Sequence, residues 1–200
     1  MKNLLMIAAA STLLTGALYA QSTPTTQPND PKTVNERREN QQDRIANGVG
    51  SGELTAGETK NLESREANLN REIKDDRQAN GGKLTAAEHE QVTDQQNNLS
   101  KCIYADKHNA AQQNFKGEVG ARQENQQDRI AQGIKSGQMT AGEAARAENT
   151  QQGINQQVHA DRAANGGKLT GAERTQINRE QNHASRQIYR EKHNGVRQHR

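Results

Sequence analysis

The sequence predicts an all-α protein: two tandem three-helix, up-down-up units behind a signal peptide and a disordered, proline-containing tether. Three observations carry that prediction. All three prolines (Pro24, Pro28, Pro31) fall before the repeated part of the chain, and their absence thereafter is what long helices require. The phrase Gly-x-Leu/Met-Thr-x-x-Glu occurs four times, as Gly52–Glu58, Gly82–Glu88, Gly137–Glu143 and Gly167–Glu173. Each copy reads as one helix closing on a left-handed glycine and the next opening on a threonine cap, with the glutamate three residues later folding back to that cap. Finally, residues 36–112 and 121–197 match with a shift of 85 residues: ENQQDRIANG answers ENQQDRIAQG, NGGKLT answers NGGKLT, and IYADKHN answers IYREKHN.

Taken in order, the chain starts with Lys2, an apolar run from Leu4 to Leu14 and then small residues. This is the pattern of a cleaved secretory signal, 1–20, with cleavage after Ala20 or Ala17, and it predicts a periplasmic or secreted protein. Residues 21–35 hold the prolines among Ser, Thr, Gln and Asn and read as a solvated tether. The first repeat unit occupies 36–112, a linker 113–120, the second unit 121–197 and a basic tail 198–200. Within each unit a fainter sub-repeat of about 30 residues recurs, the DR(x)AN-Gly-LT phrase. Helices are expected over 36–47, 56–79 and 86–108, and again 85 residues later. Apolar residues at Leu62, Leu69 and Ile73, and at Val92, Leu99 and Ile103, mark one stripe on each of the longer helices. Their counterparts are Ala147, Ile154 and Val158, then Ile177, Ala184 and Ile188. The 56–79 helix spans about 36 Å at 1.5 Å per residue, which sets the two junctions of a unit at opposite ends. Gly153 is a place for a local bend in its second copy.

The stripes are narrow and the core they predict is thin. Only 30% of residues are hydrophobic and 2% aromatic, and the leader holds a generous share of them. The mean hydropathy of −1.18 approaches that of disordered chains, but acids and bases nearly balance, leaving +3 overall.

The junction phrase also resembles the second half of a calcium-binding EF-hand loop, which makes Glu58, Glu88, Glu143 and Glu173 calcium candidates. The first half departs from that pattern in all four copies: position one is Asn47, Arg77, Gln132 or Arg162, and position three is Val49, Ala79, Ile134 or Ala164. The alternative is plain capping, by Thr55, Thr85, Thr140 and Thr170. His108 and His193 recur, but without a second ligand one turn away; Lys and His in a last turn suit a helix C-terminus, with Asn109 and Asn194 as caps. Tyr104 and Tyr189 are expected to cover the end of the core with the phenol in water. Cys102 is the only cysteine, its counterpart is Gln187, and it reads as an incidental helix residue. No nucleophile elbow, phosphate-cradling glycine loop, HExxH or cysteine pair is present, so neither an enzyme nor a cofactor is expected.

Charge is split between the units. Residues 36–112 hold 11 basic and 14 acidic residues, while 121–200 hold 13 and 8. Such complementary units are expected to dock within the chain or to self-associate, with salt weakening the contact. Much of the positive charge lies on the last helix and tail (Arg174, Arg179, Arg186, Arg190, Lys192, Arg197, Arg200), a candidate contact for an anionic surface. Without interleaved aromatics there is no platform for stacked bases.

The phrases RIANGVGSGELTAGE, NGGKLTAAE and IYADKHN, with their second copies, resemble a class of uncharacterised bacterial secreted and periplasmic helical-repeat proteins that carry RIxxGxxSGxLTxxE and SxxIYxxKHN. The resemblance covers nearly all of the expected mature chain. It implies an envelope address and a helical repeat, and it brings no activity. The reading that follows is a non-enzymatic helical repeat protein with a structural or protein-interaction role in the cell envelope, its partner an unknown envelope protein or itself, with no small-molecule substrate. Two alternatives stand beside it: a hydrophilic stress protectant largely disordered in dilute solution, and a degenerate EF-hand-like calcium module.

Overall fold

Six α-helices make up the described chain: α1 (Val34–Ser51), α2 (Ala56–Ala79), α3 (Ala86–Lys107), α4 (Gly117–Lys135), α5 (Ala141–Ala164) and α6 (Gly171–His193). The computed structural model describes residues 33–198 apart from 114 and 116. The expected signal peptide and residues 21–32 of the expected tether lie outside the described residues.

Helix α1 is longer at both ends than the sequence suggests. At its start Thr33 accepts from the Glu36 amide and the Glu36 side chain returns to Thr33, a complete capping box, so residues 33–35 open a helix instead of ending a tether. At its other end the helix runs through Gly48 and Gly50 and stops only at Gly52, whose φ of 73° supplies the left-handed turn. Gly48 has a different task. A Cβ there would lie 2.7 Å from the Leu54 side chain, and one at the equivalent Gly133 would lie 2.6 Å from Met139 Sδ. The aliphatic residue of the junction phrase folds back onto this bare stretch of helix and is fully buried in both copies.

Side-chain hydrogen bonds give the directions of the first three helices. Gln42 meets Glu63, Arg38 meets Asn70 and Arg77 meets Asn35, so α1 and α2 are antiparallel. Gln41 bonds the Gln96 carbonyl and Arg44 the Ser100 carbonyl, so α1 and α3 run parallel. The same bonds recur 85 residues later, from Gln126 to Gln181 and from Arg129 to Ser185.

All twelve stripe residues named from the sequence are buried. They do not, however, form two self-contained cores. Helix α2 packs more extensively on α5 than on any helix of its own copy, and α1 more extensively on α4. A single cluster joins Ile45, Val49, Leu54, Leu62 and Ile103 to Ile130, Ile134, Met139, Ala147 and Ile188. Smaller clusters sit apart in each copy, Leu69, Ile73 and Val92 in one and Ile154, Val158 and Ile177 in the other. A Cβ on Gly57 would meet Gln152 and one on Gly142 would meet Ala67, so α2 and α5 cross antiparallel about a pseudo-two-fold axis. The approach is allowed by small residues: Ala141, Ala144, Ala145 and Ala147 of α5 are all buried.

The apolar part of the contact between copies is made of aliphatic and small side chains, and polar groups join it, among them Lys60, which donates to Gln152. Two ion pairs among the described residues, Lys107–Glu53 (3.1 Å) and Arg146–Glu191 (3.4 Å), each lie within one copy.

Candidate functional site

Three polar assemblies are built on this frame: the junctions, a buried carboxyl layer and a basic cleft. At the junctions Thr55, Thr85, Thr140 and Thr170 each accept from the amide three residues on, while Glu58, Glu88, Glu143 and Glu173 return to the cap. The carboxylates have a further partner in every copy. Glu58 accepts from Asn109 at 2.6 Å and Glu88 from Asn80 at 2.9 Å, while Glu143 accepts from Asn194 and Glu173 from Asn165 at 2.8 Å. In this state both oxygens of each glutamate already take protein donors. Among the described residues no group of three or more His, Cys, Asp or Glu is arranged to hold a metal ion.

Asn109 is not the cap of α3. His108 takes that position, and Asn109 reaches across to the first junction, fastening the end of the third helix to the start of the second. Asn194 is both cap and fastener. Each histidine turns Nδ1 to the carbonyl of the tyrosine one turn earlier, at 2.7 Å, and stacks on that ring with centroids 4.0 and 4.2 Å apart. The tyrosines are 61% and 58% exposed and do not cover the core, contrary to the expectation from sequence. Tails dock likewise: Gln113 donates its amide to Gly52 and Gln198 to Gly137, so Gln198, expected in a free basic tail, is held at the α4–α5 junction. Lys192, counted with the basic surface of the last helix, is instead buried and donates to Gln132 at 2.9 Å. Cys102 Sγ accepts from Arg65 at 3.3 Å, while its counterpart Gln187 bonds Thr150 and Glu191.

Between α1, α2, α4 and α5 lie polar side chains that the apolar stripes do not mark. Glu63 and Glu148, equivalent residues, are fully buried, and each accepts one hydrogen bond, from Gln42 at 3.1 Å and Gln127 at 2.9 Å. Burial pushes the Glu148 carboxyl up to about 8, against the opposing pull of Gln127. Glu63 is pushed well above the carboxylate range by the same cause, with Glu66 and Glu148 adding like-charge repulsion. Burial raises Glu66 to about 7, and the nearby Arg38 opposes the rise. The second oxygens of Glu63 and Glu148, with the amide oxygens of Gln42, Gln127, Gln41 and Gln151, have no protein donor. A carboxyl that keeps its proton adds a donor where acceptors predominate.

In the second copy Arg38 and Glu66 are replaced by Gln123 and Gln151. The partner is retained: Arg38 donates to Asn70 at 3.4 Å and Gln123 to the equivalent Asn155. A buried arginine and glutamate in one copy are thus two neutral amides in the other, and the bond to the asparagine is kept. The sequence did carry a signal for this layer, since glutamate recurs at 63 and 148 directly beside the apolar stripe positions Leu62 and Ala147. The ENQQDR phrase has its explanation here too, because its glutamines and arginine tie α1 to its neighbours.

The third assembly is a cleft of about 640 Å³ between α1, α2 and the start of α5, lined by Arg38, Arg71, Lys74 and Arg77 and, among the described residues, by no carboxylate. No family model, curated protein or solved structure matches this chain.

Proposed function

We propose that this is a non-enzymatic helical protein of the bacterial envelope, periplasmic or secreted, that works by presenting a rigid surface to another molecule. The observation that supports the reading is the use made of the repeated polar phrases. Glu58 and Glu143, Asn109 and Asn194, and His108 and His193 spend their polar atoms on one another and on helix ends. Residue types that elsewhere supply acid, base or metal chemistry here hold six helices in register. A chain built this way is suited to recognition by shape and charge. The leader supports the address, and the likeness to secreted helical-repeat proteins agrees with it.

Two measurements test the reading. Expression of the full chain in a Gram-negative host, followed by fractionation and N-terminal sequencing, should find the protein outside the cytoplasm starting at Gln21 or Leu18. Cytoplasmic retention of the uncut chain would overturn the address. Circular dichroism of the secreted form should show a cooperative helical melt. A coil spectrum in dilute solution that becomes helical only on drying would favour the protectant instead, and a rise in Tm specific to calcium over magnesium would favour the calcium module.

A further inference from the structure

We infer that the cleft between α2 and the start of α5 is a binding site for a small multivalent oxyanion, one bearing phosphate or carboxylate groups. This goes beyond the envelope reading and does not depend on where the protein works. The cleft encloses about 640 Å³, within the range of small-molecule sites. Arg38, Arg71, Lys74 and Arg77 line it with Asn70, Thr140 and Gln198. Arg71, Lys74 and Arg77 therefore face one space beside Arg38, which also lies near Glu66, and among the described residues no acidic side chain lines it, in the copy that carries the net negative charge. Arg71 and Arg77 spend only long contacts on amide oxygens, to Asn68 at 3.4 Å and to Asn35 at 3.5 Å. Planar guanidinium forks match the paired oxygens of phosphate and carboxylate. Ala67 and Ile73 supply an apolar wall for the body of such a ligand.

The pseudo-symmetry of the fold supplies an internal comparison. The equivalent region, where α5 meets the start of α2, has Gln123, Gln156 and His159 in place of Arg38, Arg71 and Lys74, and keeps only Arg162 for Arg77. It is also filled. Gln152, the counterpart of Ala67, lies over Gly57, where an added Cβ would be 2.8 Å from its Nε2, and it accepts from Lys60 at 2.7 Å. At Gly142, on the open side, the same added atom would meet only Arg146 at 3.8 Å and Ala67 at 3.9 Å. Two independent differences, a smaller residue at 67 and three added cations, thus coincide on one side of a symmetric molecule. Core packing requires neither, because the other side is built without them.

The test is calorimetric titration of the mature protein with pyrophosphate and, separately, with citrate, at low and high ionic strength. Saturable one-to-one binding of either probe is expected, and which binds tighter identifies phosphate or carboxylate as the preferred group. Ala67→Gln, which installs the residue of the filled side and leaves every charge in place, should weaken binding at least tenfold with an unchanged melt. The pair Arg71→Gln with Lys74→His should do the same. Gln152→Ala, which opens the other side, where only Lys60 and Arg162 are named cations, should add no second site. The inference is overturned if neither probe binds, or if the charge-removing pair binds as well as wild type. It is also overturned if a folded Ala67→Gln protein does so, since that would reduce the effect to general surface charge.

Discussion

Glu63 and Glu148 are the residues whose state governs the interior. Both are buried, each has one amide donor, and burial raises both. The folded chain therefore binds these protons more tightly than the unfolded chain does, so stability is highest at mildly acid pH. It falls as pH rises from the ordinary carboxylate range through about 7 for Glu66 and about 8 for Glu148. The limiting slope is about 1.4 kcal/mol per pH unit for each such group. Glu88 and Glu173 act in the opposite sense, held below the carboxylate range by the Thr85 and Thr170 amides, and their contribution is lost on further acidification. Thermal melts between about pH 5 and about pH 9 should accordingly show Tm falling toward alkaline pH. Glu63→Gln with Glu148→Gln should reduce that dependence, leaving the share of Glu66, and raise stability near pH 8 by ~1–3 kcal/mol. A second residue-level prediction uses the natural replacement in the other copy. Arg38→Gln alone should destabilise by about 3 kcal/mol where Glu66 is ionised, whereas Arg38→Gln with Glu66→Gln should come within about 1 kcal/mol of wild type. This layer was legible in principle, because glutamate recurs at one register beside the stripe. A stripe of spacing seven and four nevertheless specifies only apolar positions, and the glutamates flanking it look no different from those facing water until a second layer of helices covers them.

At the level of elements, the helix ends were the most readable part of the chain, since a capping box is local chemistry within four residues. What local reading missed was a second use of the asparagines: Asn80 and Asn165 reach over their own junction to a glutamate eight residues on, while Asn109 and Asn194 bond glutamates 51 residues away that only tertiary structure brings near. The α1 end was misplaced for a similar reason. Gly48 resembles a helix stop, but its lack of a side chain serves Leu54, which arrives from beyond the true stop at Gly52. Thr55→Ala should cost about 1 kcal/mol through loss of the cap. Asn109→Ala should cost a comparable amount, of the order of 1–2 kcal/mol, because it unfastens α3 and leaves a charged acceptor short of a donor. Gly133→Ala places an atom into Met139 and should cost ~1–3 kcal/mol, read as a shift in the urea midpoint. If Gly133→Ala proved neutral, the junction methionine would not be seated as described.

Over the whole molecule, the 85-residue repeat sets out which helices exist and which residues are buried, but not where the buried faces point. A narrow stripe fits equally well a three-helix bundle that closes on itself and one that closes on its twin. The choice is made by small residues on α5 and by the position of Glu63 and Glu148, which place α2 against α5 and α1 against α4. A consequence separates this arrangement from charge-driven docking. With Ile45, Val49 and Leu62 sharing one cluster with Ile130, Ile134 and Ala147, association of the copies rests on apolar burial, which added salt does not screen. The most direct test of a shared core compares residues 33–113 expressed alone with the mature chain, by thermal melts followed by circular dichroism at low and high ionic strength. The account predicts one cooperative transition for the mature chain and a poorly helical, non-cooperative first copy at either salt concentration. A first copy that melts cooperatively at the temperature of the mature chain would contradict it.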